Sequence, residues 1–211
     1  MNMAAEIQPG VPGASLRERI LSAAFHAFME HGYGGASTSD IARRARVSKR
    51  DLYAQFGSKQ AMLAACISER AERMRLPLEL PAPCNQAVLA AALVTFGRTL
   101  LREVSRPEVL AMYRLAILEA ERSPDVAQTL DSLGHAKNLS ALMALMLAAQ
   151  QSGLLGAAAP AMMAEYFLAV LWRGGLLVRM LLRVAAAPDA AEVEQRARFA
   201  AESLTLRFAP L

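Results

Sequence analysis

At 211 residues the chain suits one compact unit, or a small domain joined to a larger one. It is 55% hydrophobic but only 6% aromatic; the apolar mass is Ala, Leu, Met and Val, which argues against a strand-rich protein and for an all-α one. Two cysteines exclude a disulfide framework, whereas a formal net charge of +4 excludes neither nucleic acid nor an anionic surface, so the placement of charge matters more than its sum.

Residues 1–14 hold Pro9, Gly10, Pro12 and Gly13 without apolar periodicity and read as a disordered tail. The first twenty residues lack a continuous apolar run, so no secretory signal is expected and the protein reads as cytoplasmic. Ser15, with Glu18 three residues on, forms a capping box for a helix to about His31. Its apolar positions Leu16, Ile20, Ala23, Ala24, Ala27 and Phe28 follow the spacing of one helix face, and Gly32, Gly34 and Gly35 end it. The run Ser37-Thr38-Ser39-Asp40 opens a short helix to about Ala45, and Arg46-Val47-Ser48 is a tight break. Ser48 then caps a second short helix, Lys49 to about Phe56; Gly57-Ser58 stops it, and a fourth helix runs from Lys59 to about Arg75.

Pro77, Pro81 and Pro83 mark a module boundary, dividing the chain into 15–75 and 76–211. Five longer helices follow, at 84–105, 107–121, 124–152, 160–185 and 189–208, making nine in all. Pro107, Pro124, Pro160 and Pro188 sit at or just inside helix starts, where proline is tolerated. The segment 161–184 is the nearest to a membrane span, but Glu165, Arg173 and Arg179 interrupt it. It reads as a buried helix of a soluble protein, with no membrane partner.

The informative unit is the pair of short helices around a three-residue turn, a helix-turn-helix. In such a unit the first helix braces on the phosphate backbone and the second lies in the major groove. Ile41, Ala42 and Ala45 face inward, Val47 fills the turn, and Leu52 and Phe56 hold the second helix on the core. That leaves Lys49, Arg50, Asp51, Tyr53 and Gln55 for the outer surface. Arg43, Arg44, Arg46, Lys49, Arg50 and Lys59 are opposed in this stretch only by Asp51. The charge cluster alone also fits a solvated face; its placement on an organised motif is what points to DNA.

From Ile20 to Ala65 the chain reads ILSAAFHAFMEHGYGGASTSDIARRARVSKRDLYAQFGSKQAMLAA. This resembles the N-terminal domain of tetracycline-repressor-type (TetR/AcrR) regulators in its Ala-Ala-Phe helix, Gly32-Tyr33 turn, Thr38 and Asp40-Ile41-Ala42. The match continues through Val47-Ser48-Lys49, Leu52-Tyr53, Phe56 and Ser58-Lys59. The resemblance implies a sequence-specific regulator, a repressor rather than an activator, and not an enzyme. It implies phosphate contacts from Thr38 and Lys59, a cap together with a DNA-backbone contact from Ser48, and groove contacts from Lys49, Arg50, Tyr53 and Gln55. For Tyr53, packing is the other reading. Three positions depart from the family: Arg46 where the turn commonly has glycine, Asp51 where threonine is frequent, and Gln55 where histidine is frequent. A left-handed Arg46 would cost roughly 1–2 kcal/mol. Asp51 could accept from cytosine N4 or order a neighbouring arginine.

Further on, Tyr113–Asp125, YRLAILEAERSPD, is similar to efflux-operon-type members, with Ser123 where phenylalanine is expected. The resemblance implies a homodimer through the last two long helices, where Tyr166, Val170, Leu177, Met180 and Leu181 form an apolar stripe; intramolecular core is the other reading. Gly174 and Gly175 would allow close helix approach. It also implies a pocket among helices four to eight for an unidentified small apolar or amphipathic effector that releases the operator. Phe96, Met112, Leu115, Met143, Met146, Phe167 and Trp172 are the apolar candidates, with Arg114 and Arg173 for a polar group. All of these residue types also suit a core.

The three histidines, His26, His31 and His135, are scattered, so neither a metal nor a cofactor is expected. Phosphate loop, dinucleotide fingerprint and serine elbow are lacking. The rival readings are a redox-sensing regulator working through Cys66 or Cys84, a helical ligand-binding protein that does not touch DNA, and a membrane-surface protein.

Overall fold

The computed structural model describes residues 15–73, 82–121 and 124–210; the expected tail at 1–14, and Pro77 and Pro81, lie outside them. The described residues are helical and contain no strand. The chain separates into two compact units between Glu69 and Arg70, inside the fourth helix rather than at the prolines.

The first unit is built on α1 (Leu16–Gly35), α2 (Thr38–Ala45), α3 (Lys49–Phe56) and the start of α4 (Lys59–Arg73). The Ser15–Glu18 capping box is present, with the Glu18 amide donating to Ser15 Oγ at 3.2 Å and the Ser15 amide donating to Glu18 Oε2 at 2.8 Å. Gly32, at φ 67° and ψ 173°, breaks the helical path of α1, a conformation that glycine adopts without steric cost. Ile20, Leu21, Ala24 and Phe28 of α1 are buried, as are Ile41 of α2, Leu52 of α3, and Met62, Leu63 and Ile67 of α4.

The second unit comprises α5 (Gln86–Val104), α6 (Pro107–Glu119), α7 (Pro124–Leu130), α8 (Ala136–Gln151), α9 (Pro160–Leu171), α10 (Leu176–Leu181) and α11 (Ala190–Arg207). A π-helical turn at 131–135 joins α7 to α8, and a 3₁₀ turn at 173–175 joins α9 to α10. Counting each interrupted pair as one rod gives nine helical rods among the described residues. Asn85 caps α5 by accepting from the Val88 amide at 2.9 Å, and Asp189 caps α11 by accepting from the Glu192 amide at 2.8 Å. The core runs through Leu89, Leu93 and Phe96 of α5, Leu142 and Met146 of α8, Met163 and Phe167 of α9, and Val193, Ala197 and Leu204 of α11.

Two details differ from the sequence reading. The expected helix at 160–185 breaks after Leu171, because Gly174 (φ 74°) and Gly175 (φ 65°) take left-handed conformations. A side chain at either would meet nothing of its own chain within 4 Å, so within the chain these glycines serve the break. The close approach is at Gly97 of α5. A Cβ there would stand 3.1 Å from Leu171 Cδ1 and 3.2 Å from Ala197 Cβ, so α5, α9 and α11 converge where one side chain is missing.

Gly97→Val should therefore overpack the core and destabilise the protein by about 1–3 kcal/mol, despite the gain of a side chain within a helix. Urea unfolding of the two proteins checks this. An unchanged midpoint would mean that the three helices can separate at no cost.

Candidate nucleic-acid interface

The start of α3 is fixed by a reciprocal cap. The Asp51 amide donates to Ser48 Oγ at 3.1 Å; in return the Ser48 amide and hydroxyl donate to Asp51 Oδ2 at 3.3 and 2.7 Å. These bonds, the hydroxyl's first, hold the Asp51 carboxyl below the usual carboxylate range. Asp51 thus orders Ser48 rather than a neighbouring arginine. Immediately before, Arg46 stands at φ 56° and ψ 50°, the left-handed conformation left open above. Its amide meets the Ala42 and Arg43 carbonyls, closing α2 and reversing the chain into α3.

The cap and one anchor orient the helix. Leu52 is fully buried and Phe56 half-buried, with the Arg17 guanidinium 5.5 Å from the Phe56 ring centroid. Lys49, Arg50, Tyr53 and Gln55 are exposed on the remaining surface, as is Ser48 at its tip. Thr38, half-buried at the start of α2, comes next to α3: the Tyr53 hydroxyl donates to Thr38 Oγ1 at 3.4 Å. Lys59 is also half-buried, its Nζ 4.5 Å from the Tyr33 ring centroid, and that ring packs on Phe28 at 5.8 Å. All seven residues expected to contact DNA thus lie on the first unit with exposed or half-buried side chains. The bracing of this surface by Arg17 and Tyr33 escaped the sequence reading because their partners are 39 and 26 residues away in the chain.

The basic cluster is less uniform than its sequence suggests. Arg44 pairs with Asp40 at 2.6 Å and with Glu30 of α1 at 2.8 Å, and its Nη2 lies 3.3 Å from His31 Nε2. Arg43 pairs with Asp40 as well. The Arg44 hydrogen bond holds the Glu30 carboxyl below its ordinary value. At Asp40 desolvation pushes upward, but the bonds from Arg43 and Arg44 prevail and lower it. Arg44 thus lashes α2 to α1, whereas Arg46, Lys49 and Arg50 make no ion pair among the described residues.

In the second unit the seven expected pocket residues are buried or partly buried. Phe96 and Phe167 pack edge to face at 6.0 Å in the core with Met146, and Met143 and Trp172 pack against its edge. Met112 and Leu115 are buried on α6. Arg114 donates to the Met180 and Leu181 carbonyls at 2.7 and 2.8 Å, and the Arg173 guanidinium lies 4.4 Å from the Phe199 ring centroid. A cavity of about 260 Å³ opens elsewhere, against α6, α7 and the π-helical turn, lined by Tyr113, Ala116, Ile117, Ala120, Ala127, Leu130, Asp131 and His135.

Of the expected interface stripe, Met180 is buried within the chain, and Tyr166 packs edge to face on Phe208 at 5.5 Å. Val170, Leu177 and Leu181 are partly buried against the core. The apolar side chains exposed on these last helices and the loop before α11 are Met162, Val178, Leu182, Val184, Phe199 and Leu206. Pro160–Leu181 is also apolar and long enough to cross a membrane by composition, but its inward residues Met163, Phe167 and Leu171 belong to the core. Cys66 is buried, its thiol donating to the Leu21 carbonyl at 3.4 Å, and Cys84 is exposed.

Residues 20–66 match the family described as bacterial regulatory proteins, tetR family, and residues 91–209 match the AefR-like transcriptional repressor C-terminal domain. An HTH-type transcriptional repressor of Mycobacterium tuberculosis is 31% identical over 114 residues, 54% of this chain and 56% of the relative. The chain therefore aligns over little more than half the length of that curated relative. A TetR transcriptional regulator from Agrobacterium tumefaciens superposes with a TM-score of 0.80 at 28% identity, covering 92% of this chain and 94% of that one. The flavonoid-responsive regulator FrrA superposes with a TM-score of 0.74 at 28% identity, covering 91% and 95%.

Ser48→Ala should cost about 1 kcal/mol through loss of the cap, and Arg46→Gly should stabilise by about 1 kcal/mol by removing the left-handed penalty; thermal melts of the full chain check both. The carboxyls of Glu30, Asp40 and Asp51 are depressed on folding. Their stabilisation is complete above the ordinary carboxylate range, near pH 4, and is lost as pH falls through the depressed values. All three are solvent-screened, so the change is small; melts between about pH 3 and 7 should show a shallower acid dependence for Asp51→Asn than for the parent.

Proposed function

The chain belongs to the tetR family of bacterial regulatory proteins, and on that premise we propose that it is a cytoplasmic, homodimeric, sequence-specific repressor released from its DNA operator by a small apolar or amphipathic effector. The observation that carries the DNA-reading part is the division of α3 into two sides. Leu52 is fully buried, while Lys49, Arg50, Tyr53 and Gln55 stand exposed beside a capped, rigid N-terminus. A recognition helix needs this division: one side docks on its own domain and the other enters the major groove.

In this reading Lys49 and Arg50 approach phosphates or base edges, and Gln55 meets bases. Thr38 and Lys59 flank α3 on the phosphate backbone, and Ser48 holds its tip in place. Tyr53 joins both readings given above, since its hydroxyl meets Thr38 within the protein and its ring remains accessible. The reader occupies 15–75, and 76–211 carries dimerisation and effector binding.

A second copy of the chain would cover the apolar side chains exposed on α9–α11 and between α10 and α11, among them Val178 and Leu182, which are 58% and 67% accessible. Two readers on one duplex demand such a partner, because a single short helix contacts too few base pairs for specificity. The likeness to FrrA, a regulator that responds to flavonoids, supports control by a small organic molecule. Repression follows from occupancy of a promoter by a dimer of this size.

Selection of random duplexes by the purified protein, at fixed salt, should enrich a two-fold symmetric site with half-sites about 10 base pairs apart. Salt-sensitive binding without sequence preference, from protein free of ligand, would overturn the assignment. Lys49→Ala should reduce the slope of log K against log salt by about 1 if its contact is a phosphate. A loss confined to particular base pairs would instead make it a base reader. Leu182→Glu should convert the dimer to monomer in sedimentation experiments.

A further inference from the structure

The cavity on the second unit has a definite chemistry. Tyr113, Ala116, Ile117 and Ala120 recur at intervals of three, one and three, so they occupy one face of α6 and its C-cap. Opposite stands the π-helical turn, in which the Ala136 amide reaches back five residues to the Asp131 carbonyl. Such a widened turn is a frequent feature of functional sites, and here both of its ends, Asp131 and His135, enter the lining.

The rest of the lining is alanine, leucine and isoleucine. Its polar groups are the Tyr113 phenol, the Asp131 carboxyl and the His135 imidazole. The phenol is half-buried yet makes no hydrogen bond among the described residues, and Asp131 makes no ion pair among them. Burial, and then the Asp131 carboxylate, push the phenol above its ordinary value, so it stays neutral and adds no second negative charge. Asp131 is the one acidic residue of the lining, and neither lysine nor arginine stands in it, so the cavity favours positive charge.

We propose that this cavity is the effector site and that its ligand is a small organic cation, a one- or two-ring apolar body bearing a protonated amine. The proposal rests on the effector-released reading above. The volume of about 260 Å³ is at the low end for small-molecule sites, which limits the body to one or two rings. The apolar walls take the rings. The ammonium donates to the Asp131 carboxylate in a charge-assisted bond and to the phenol oxygen, giving a partner to two groups that have no hydrogen bond or ion pair among the described residues.

Three matched probes test it on the full-length protein by calorimetry: 2-phenylethylammonium, 2-phenylethanol and phenylacetate. The amine should bind at least about ten-fold more tightly than the alcohol, with the carboxylate weakest. Asp131→Asn should abolish the preference and Asp131→Glu should retain it, both with parental melting behaviour; Ala116→Trp, which fills the cavity, should remove binding of all three. Equal affinities, a preference that survives Asp131→Asn, or no binding of any probe at millimolar concentration would overturn the proposal. Operator binding is followed in parallel. Asp131-dependent amine binding without operator release keeps the ligand class and overturns the effector reading. Release by an uncharged molecule, independent of Asp131, keeps the effector reading and overturns the ligand class.

Discussion

The first unit depends on how an eight-residue helix is held still. A segment as short as α3 is not stable by itself, because helix nucleation costs more than two turns of hydrogen bonding return. Two features compensate: the reciprocal Ser48–Asp51 cap at its start and the burial of Leu52 in the core of the unit. The cap satisfies donors that would otherwise be orphaned, and the leucine sets the rotation of the helix about its axis. With rotation set, the outward positions of Lys49, Arg50, Tyr53 and Gln55 follow without further instruction.

Charge in this unit is divided between bracing and display. Arg44 lies between Asp40 and Glu30 and joins α2 to α1, so its charge is largely spent within the protein. From the turn onward, Arg46, Lys49 and Arg50 lack ion pairs among the described residues and carry the local positive potential. The left-handed Arg46 shows that the turn geometry is imposed by its neighbours: its amide closes α2, and a conformation costly for an arginine is tolerated because both flanking helices are anchored.

The second unit relies on small residues where the first relies on caps. Gly97, Ala197 and Ala200 let α5, α9 and α11 approach closely, and the large side chains, Phe96 and Phe167, fill the space beside them. This packing consumes most of the apolar residues that looked suited to a ligand. A cavity with polar groups in its lining opens where α6 meets α7 and the widened turn before α8.

Local pattern by itself determined much of this protein. Helix positions, the Ser15 and Ser48 caps, the helix-turn-helix and its outward side chains all depend on interactions within four residues or on a periodicity of 3.6, and these are written into the sequence directly. The resemblance to the tetR family rested on the same contiguous block. Tertiary structure alone decided the rest. Whether Met146 or Phe167 lines a pocket or fills a core depends on partners from other helices. Gly97 and Gly174 are the same residue type, yet one is needed for crowding by α9 and α11 and the other for a left-handed backbone. The pairing of Arg44 with Glu30, and of Tyr53 with Thr38, joins residues more than a dozen positions apart. Such contacts are set by how faces meet in space, which no window along the chain contains.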